Sequence, residues 1–149
     1  MFIFDLDHTV IDSSHRQSTL PCGSLDLANW IENNTPENIA KDALLPLAKY
    51  WRYEKRQGRT VGVCTARVLQ DADYEFLADN GLDYDFILSR PMGDSSKDDD
   101  LKERLLDEQG IKPEEITAFF EDNEAVLKRL NELNIEAFDA KIFNKLSGY

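Results

Sequence analysis

The sequence predicts an α/β fold in which about five parallel strands form a sheet with helices on both faces. Short apolar segments alternate along the chain with segments whose apolar residues recur at helical spacing. Strands that alternate with helices are joined by right-handed crossovers, which makes the sheet parallel. We expect one domain over residues 1–149, because this length suits a single hydrophobic core.

The strands are predicted from short apolar or β-branched segments bounded by turn residues. They cover residues 1–6, 60–64, 84–88, 116–120 and 135–138. The polar stretch 7–24 between the first strand and the first helix is predicted to be a loop.

The helices are predicted from apolar spacing together with their end signals. They cover 68–79, 97–109 and 123–133, and a further helix begins at Thr35, with Pro36 in its first turn. Apolar residues at helical spacing continue to Trp51, so Pro46 must start, kink or interrupt this helix. Gly58 and Gly110 suit helix ends.

Composition limits the classes of function. The net charge of −12 argues against coating long stretches of nucleic acid, although a few basic residues can still hold one phosphate or one strand end. Cys22 and Cys64 form neither a disulfide framework nor a metal-binding pair, and two histidines make a zinc site improbable. With no apolar membrane span and no basic-then-apolar leader, we expect a cytoplasmic protein that binds no membrane.

Acidic, basic and hydroxyl side chains follow four of the predicted strands. In open α/β sheets, ligands bind beyond the carboxyl ends of the strands. The candidates are Asp5 and Asp7, then Thr65 and Arg67, then Asp94 and Lys97, and finally Glu121 and Asp122. A buried strand has no structural need for two acids at its end, so Asp5 and Asp7 indicate a functional site.

These motifs resemble the haloacid dehalogenase (HAD) superfamily of phosphotransferases. That family opens with a hydrophobic strand and Asp-x-Asp-x-Thr/Val, matched by residues 5–9. The second motif of the family is a Ser or Thr that ends the next strand, and Thr65 matches it. The third motif is a Lys, matched by Lys97, and the fourth is an acidic pair after a strand, matched by Glu121 and Asp122. The resemblance implies a Rossmann-like fold and phosphatase activity.

One branch fits more closely, the 3′-phosphatase domain of bacteriophage polynucleotide kinase/phosphatases. Arg16 matches an Arg in the loop after the first motif of that domain. Arg67 matches an Arg two residues after the Ser or Thr of the second motif, and residues 93–99 match a Gly-Asp-x-x-Lys-Asp-Asp segment. The kinase half is absent, because no Gly-x-x-x-x-Gly-Lys-Ser/Thr loop occurs. Two positions depart from the family pattern: His8 replaces the usual Gly, and Glu121 replaces a more usual Asp.

The resemblance also implies a mechanism. Mg²⁺ would be held by Asp5, the main-chain carbonyl of Asp7 and Asp122, with Glu121 beside them. Asp5 would attack phosphorus and form an aspartyl-phosphate. Asp7 would act as general acid and base, which requires a protonated carboxyl near neutral pH, favoured by its acidic neighbours.

The remaining candidates would contact the substrate. Thr65 and Lys97 would hold the non-bridging phosphoryl oxygens, and Arg16 and Arg67 would grip phosphate. Thr9 is also expected to bind the substrate. Asp94 is expected to orient Lys97 or Arg67 rather than to do chemistry.

The predicted layout leaves no room for a large cap domain, since only about 30 residues separate Thr65 from Lys97. An uncapped site admits a bulky substrate such as a phosphorylated nucleic-acid end, which favours a polynucleotide 3′-phosphatase. A phosphatase for nucleotides or other small esters is the alternative, and the acidic surface favours it. A non-catalytic binding module is disfavoured, because the catalytic motif residues are all present. Residues 10–35 would form a small flap at most.

Overall fold

The computed structural model describes residues 1–16 and 26–148, without the side chain of Leu27. The strands of the described residues are β1 (Phe2–Phe4), β2 (Ile11–Asp12), β3 (Ala43–Leu44), β4 (Val61–Thr65), β5 (Phe86–Ser89), β6 (Ala118–Glu121) and β7 (Ala137–Asp139). The α-helices are α1 (Leu27–Asn33), α2 (Pro36–Ile39), α3 (Leu47–Arg56), α4 (Asp71–Asp79), α5 (Asp98–Gln109), α6 (Glu124–Glu132) and α7 (Ala140–Leu146). Two 3₁₀ turns span Ser14–Arg16 and Pro113–Glu115.

The central sheet has the order β5-β4-β1-β6-β7, and every pairing in it is parallel. This confirms the predicted five-stranded α/β sheet. Phe4 of β1 lies opposite Val63 of β4 on one side and Phe120 of β6 on the other. The chain runs outward from β1 to β5, then returns to β6, so the strand order reverses beside β1. A reversal of this kind opens a crevice at the carboxyl ends of the strands.

Apolar side chains cover both faces of the sheet, because successive strand residues point to opposite sides. Phe4 stacks on Trp51 of α3 at 5.2 Å between ring centroids, in the cluster that also holds Leu77 of α4. Ile3 belongs to a second cluster, with Leu105 of α5 and others from α6. Helices therefore cover both faces, as predicted.

The helix predicted to run on from Thr35 is interrupted. The Thr35 hydroxyl caps α2 by accepting the Asn38 N–H, as its sequence indicates, but the helix ends at Ile39. β3 then pairs antiparallel with β2, and α3 begins after Pro46. The first free N–H after this proline, that of Leu47, donates to Asn144 Oδ1 at 2.9 Å.

Two helices were not predicted, α1 and α7. Asp139 caps α7 by accepting the Lys141 N–H, but apolar side chains such as Ile142 and Leu146 stay exposed, so the helix gives a weak periodic signal. The predicted loop 7–24 contains β2 and a 3₁₀ turn, and its later part lies outside the described residues.

The described residues contain no large cap domain. Among these residues, only α1, α2 and β3 lie between the first 3₁₀ turn and α3, and only α4 lies between β4 and β5. Within these residues no large domain covers the carboxyl ends of the strands. Among the helices of residues 1–16 and 26–148, none is long and apolar enough to cross a membrane.

Candidate active site

A cavity of about 790 Å³ opens at the carboxyl ends of β1, β4 and β6. Its lining includes residues at the carboxyl ends of these strands or in the loops that follow them and β5, together with residues at α1 and α5: Asp5, Asp7, His8, Trp30, Ile31, Asn34, Arg67, Asp94, Lys102, Glu121 and Asp122. The sheet edge predicted to bind a ligand therefore carries a cavity.

Asp5 lies at the bottom of the cavity and is almost completely buried, with 5% of the residue exposed. Lys102 donates from Nζ to Asp5 Oδ1 at 2.9 Å, and the Thr9 hydroxyl donates to Oδ2 at 3.2 Å. Both carboxylate oxygens are thus oriented by buried donors. A carboxylate fixed in this way is suited to in-line attack on an electrophile in the cavity.

The buried cation of the site is Lys102, not Lys97. Lys102 is 2% exposed and also donates to Glu121 Oε2 at 2.5 Å. Lys97 is exposed at the start of α5, and it is not among the residues lining the cavity. This corrects the expectation that Lys97 is the lysine of the site. Lys102 lies on the buried face of α5, which packs toward Asp5, whereas Lys97 lies at the exposed start of the helix.

Three carboxylates meet beside this lysine, those of Asp5, Glu121 and Asp122. Each offers an oxygen within 4.8 Å of the others. Burial, then the charge of Asp5, raises the pKa of Glu121 to about 7 and that of Asp122 to about 9. The charge repulsion that raises these pKa values is only partly offset by Lys102, and it would be relieved by a divalent cation, for which the hard oxygen donors are suited.

Asp7 has a different environment from the one expected. Its Oδ2 accepts from Arg67 Nε and its Oδ1 from Arg67 Nη2, both at 2.7 Å, and Ser13 donates to Oδ1 at 2.8 Å. Burial raises the pKa of Asp7, but the charge and hydrogen bonds of Arg67 outweigh it and lower the pKa below its ordinary value. In this arrangement Asp7 is ionised, whereas a raised pKa was expected from its acidic neighbours.

Both candidate phosphate-gripping arginines are bound to carboxylates. Arg16 makes a two-bond pair with Asp42 at 2.9 Å and donates from Nη1 to Asn34 Oδ1 at 2.8 Å. Arg67 bonds to Asp7, Asp73 and Asp42. Arg67 lines the cavity, but Arg16 is not among the lining residues and only 3% of it is exposed.

The other predicted residues occupy supporting positions. Thr65 is buried at the end of β4, and its hydroxyl accepts the Arg67 N–H at 3.1 Å. Asp94 lines the cavity and bonds to Arg104 and the Ser96 N–H; these contacts replace the expected contact with Lys97 or Arg67. Thr9 is fully buried and contacts Asp5 rather than the cavity.

His8 adopts a left-handed backbone conformation, with φ of 61°. This is the position at which the related motif has glycine, the residue that takes such angles without steric cost. This left-handed turn directly follows Asp7.

Lys102 and Asp42 are the functional candidates that sequence reasoning missed. Lys102 lies on the buried face of α5 with Leu101, Leu105 and Leu106. A lysine on an apolar helix face needs a buried carboxylate, and that signal could have identified it. Asp42 carries no comparable signal, because its partners Arg16 and Arg67 are distant in sequence.

Comparison with known proteins identifies the family. Residues 1–147 match the family described as bacteriophage T5 5′-deoxynucleotidase. A 5′-deoxynucleotidase of Escherichia phage T5 is 39% identical over 89 residues, which are 55% of this chain and 35% of that protein. The match therefore spans about a third of the relative's length.

Solved structures share the fold. The structure of the Pnkp1/Rnl/Hen1 RNA repair complex contains a chain that is 25% identical, with a TM-score of 0.65, covering 93% of this chain and 41% of that one. A haloacid dehalogenase-like hydrolase from Streptococcus pneumoniae is 15% identical, with a TM-score of 0.67, and the match covers 93% of this chain and 82% of that one. The chain belongs to the bacteriophage T5 5′-deoxynucleotidase family and has the fold of the HAD superfamily of phosphatases.

Proposed function

We propose that the protein is a Mg²⁺-dependent phosphomonoesterase that hydrolyses deoxynucleoside monophosphates through an aspartyl-phosphate on Asp5. The observation that carries this proposal is the buried Asp5 carboxylate, held by Lys102 and Thr9 at the bottom of an open cavity. The family match over residues 1–147 supports the substrate class.

Asp5 would attack phosphorus from the bottom of the cavity, and the leaving alcohol would depart toward the open side. Lys102 would hold the Asp5 carboxylate in place and offset negative charge that develops on the phosphoryl oxygens. We assign this role to Lys102 instead of Lys97. Thr65, at the end of the neighbouring strand, would hold a non-bridging oxygen.

The three-carboxylate cluster fits Mg²⁺, because it offers hard oxygen donors and an excess of negative charge. Asp5 and Asp122, with the main-chain carbonyl of Asp7, would hold the ion, and Glu121 would stay hydrogen-bonded to Lys102. When bound, the ion supplies Lewis-acid neutralisation of the phosphate dianion, which otherwise repels the Asp5 carboxylate.

Asp7, after taking up a proton from solvent, would pass it to the leaving oxygen and later take a proton from the attacking water. This role requires the carboxyl group to leave Arg67, whose charge lowers its pKa. Arg67 would then be free to contact a substrate oxygen, since its guanidinium already lines the cavity. Arg16, Thr9 and Asp94 act in this proposal as residues that position others.

The test is phosphate release by the whole chain with Mg²⁺ and with EDTA. The substrates are a deoxynucleoside 5′-monophosphate, the corresponding 3′-monophosphate, and an oligonucleotide phosphorylated at its 3′ end. Fast Mg²⁺-dependent release from the 5′-monophosphate supports the proposal. No release from any of them by folded protein contradicts it and favours a non-catalytic module.

A second candidate is a polynucleotide 3′-phosphatase. The 25% identical chain in the RNA repair complex and the absence of a large cap in the described residues favour it. The same panel separates the two, because this candidate predicts release from the 3′-phosphorylated oligonucleotide and little from mononucleotides. In either case we infer action in the cytoplasm of a phage-infected host, since the matched relative is from Escherichia phage T5.

A further inference from the structure

Trp30 lies at the cavity without belonging to the hydrophobic core. It is half-buried, whereas Trp51, the other tryptophan, is fully buried. Neither core cluster of the described residues includes it. The helix that carries it is fixed at both ends: Asp26 accepts the Asn29 N–H at 3.1 Å, and the Asn34 carbonyl accepts from Gln70 Nε2 at 3.1 Å.

Two buried cations lie over the Trp30 indole. The Arg16 guanidinium carbon lies 4.4 Å from the ring centroid, and that of Arg67 lies 5.8 Å away. Asp42 binds both guanidiniums, and its side chain is completely buried. A cation–π contact with a fixed guanidinium therefore helps to orient the indole.

The indole also forms part of the cavity wall, beside Ile31, which is 67% exposed. Within residues 1–16 and 26–148, Trp30 is the one Phe, Trp or Tyr that lines this cavity. The rest of the lining is rich in carboxylates and arginines that suit a phosphate and a metal ion. An aromatic surface beside them suits the planar, apolar part of the same ligand.

Arg67 connects this wall to the reaction centre, because it contacts both Trp30 and the Asp7 carboxylate, the latter at 2.7 Å. A nucleoside monophosphate carries its base one sugar away from its phosphorus. We propose that Trp30 stacks on the base of the substrate and selects phosphate esters that carry a nucleobase. This inference rests on the proposed function for its substrate class.

The test compares kcat/KM for a deoxynucleoside 5′-monophosphate with kcat/KM for 2-deoxyribose 5-phosphate, which lacks the base. In Trp30→Leu the ratio of the two values should fall about tenfold or more, as expected when one base–aromatic stack is removed. Trp30→Phe should keep most of the ratio. The matched control is Tyr53→Leu, because Tyr53 is an exposed aromatic residue on α3 outside the cavity.

A ratio that is unchanged in Trp30→Leu overturns the inference and leaves the phosphatase proposal intact. If Trp30→Leu does not fold, or the wild type hydrolyses neither ester, the inference is tested by binding of the two ligands to the Asp5→Asn variant in the presence of Mg²⁺. Quenching of tryptophan fluorescence by the nucleotide and not by 2-deoxyribose 5-phosphate then supports base stacking. Equal responses to the two ligands, or none, overturn it.

Discussion

Lys102 Nζ lies 2.9 Å from Asp5 Oδ1 and is buried with it, although 97 positions separate the two residues in sequence. The same ammonium bonds to Glu121 Oε2 at 2.5 Å. The lysine thus joins the carboxylate that ends β1 to the one that ends β6. It neutralises part of a cluster whose charges would otherwise repel one another.

The first prediction concerns which lysine serves the reaction. Lys102→Met should lower kcat for phosphate release by about 100-fold or more, the usual loss when a preorganised charge at a reaction centre is removed. Lys97→Met should stay within about twofold of the wild type, because Lys97 is exposed and lies outside the cavity lining. A larger loss in Lys97→Met than in Lys102→Met would reverse the assignment.

The second prediction concerns the metal. Addition of Mg²⁺ should raise the thermal unfolding midpoint, because a ligand that binds the native state and not the unfolded state stabilises the native state by mass action. The rise should shrink in Asp122→Asn, which removes one of the three clustered carboxylates. Asp139→Asn is the matched control, since Asp139 caps α7 outside the cavity lining. An equal Mg²⁺ response in the wild type and Asp122→Asn would contradict the metal site.

The third prediction concerns stability around Asp42. Asp42→Ala should lower the free energy of unfolding by about 3–5 kcal/mol, because it leaves the buried Arg16 guanidinium without its ionic partner. Glu108→Ala breaks an exposed pair with Arg104 and should cost about 0.5 kcal/mol or less. Denaturant unfolding followed by circular dichroism measures both. Equal losses would show that the Asp42 network contributes little.

The fourth prediction concerns His8, whose φ of 61° is costly for residues other than glycine. Relief of about 1–2 kcal/mol of backbone strain in His8→Gly exceeds the added unfolded-state entropy of glycine, about 0.5–1 kcal/mol. His8→Gly should therefore be as stable as the wild type or slightly more so. His8→Val should lose about 1–2 kcal/mol, because a β-branched residue fits this conformation poorly. If valine is tolerated as well as glycine in denaturant unfolding, backbone strain at this position is negligible.

The strand ends were predictable because the signal is local. Asp5 and Asp7 directly follow a buried apolar segment, as Glu121 and Asp122 do, and parallel strands bring their carboxyl ends to one edge of the sheet. Thr35, Pro46 and Gly110 mark helix boundaries by their own backbone or side-chain properties. The fold class and the location of the site therefore follow from short segments read in order.

The parts that could not be predicted depend on long-range contacts. Which lysine reaches Asp5 is decided by the rotation of α5 against the sheet, and the motif pattern pointed to the exposed Lys97. The ion pairs of Asp7, Arg67, Asp42 and Arg16 join four distant segments, so the lowered pKa of Asp7 has no local signature. Among the described side chains of helix α1, Ile31 is exposed and Trp30 belongs to neither core cluster, so the helix gives a weak periodic signal.

The most direct test of the central claim is detection of the phosphoryl group on Asp5. The wild-type protein is mixed with a deoxynucleoside 5′-monophosphate and Mg²⁺, quenched in acid within one turnover, and its N-terminal peptide is sequenced by mass spectrometry. We predict a phosphoryl group on Asp5 and none in Asp5→Asn, which should also release no phosphate. A phosphoryl group on another residue, or full turnover by Asp5→Asn, would contradict the account.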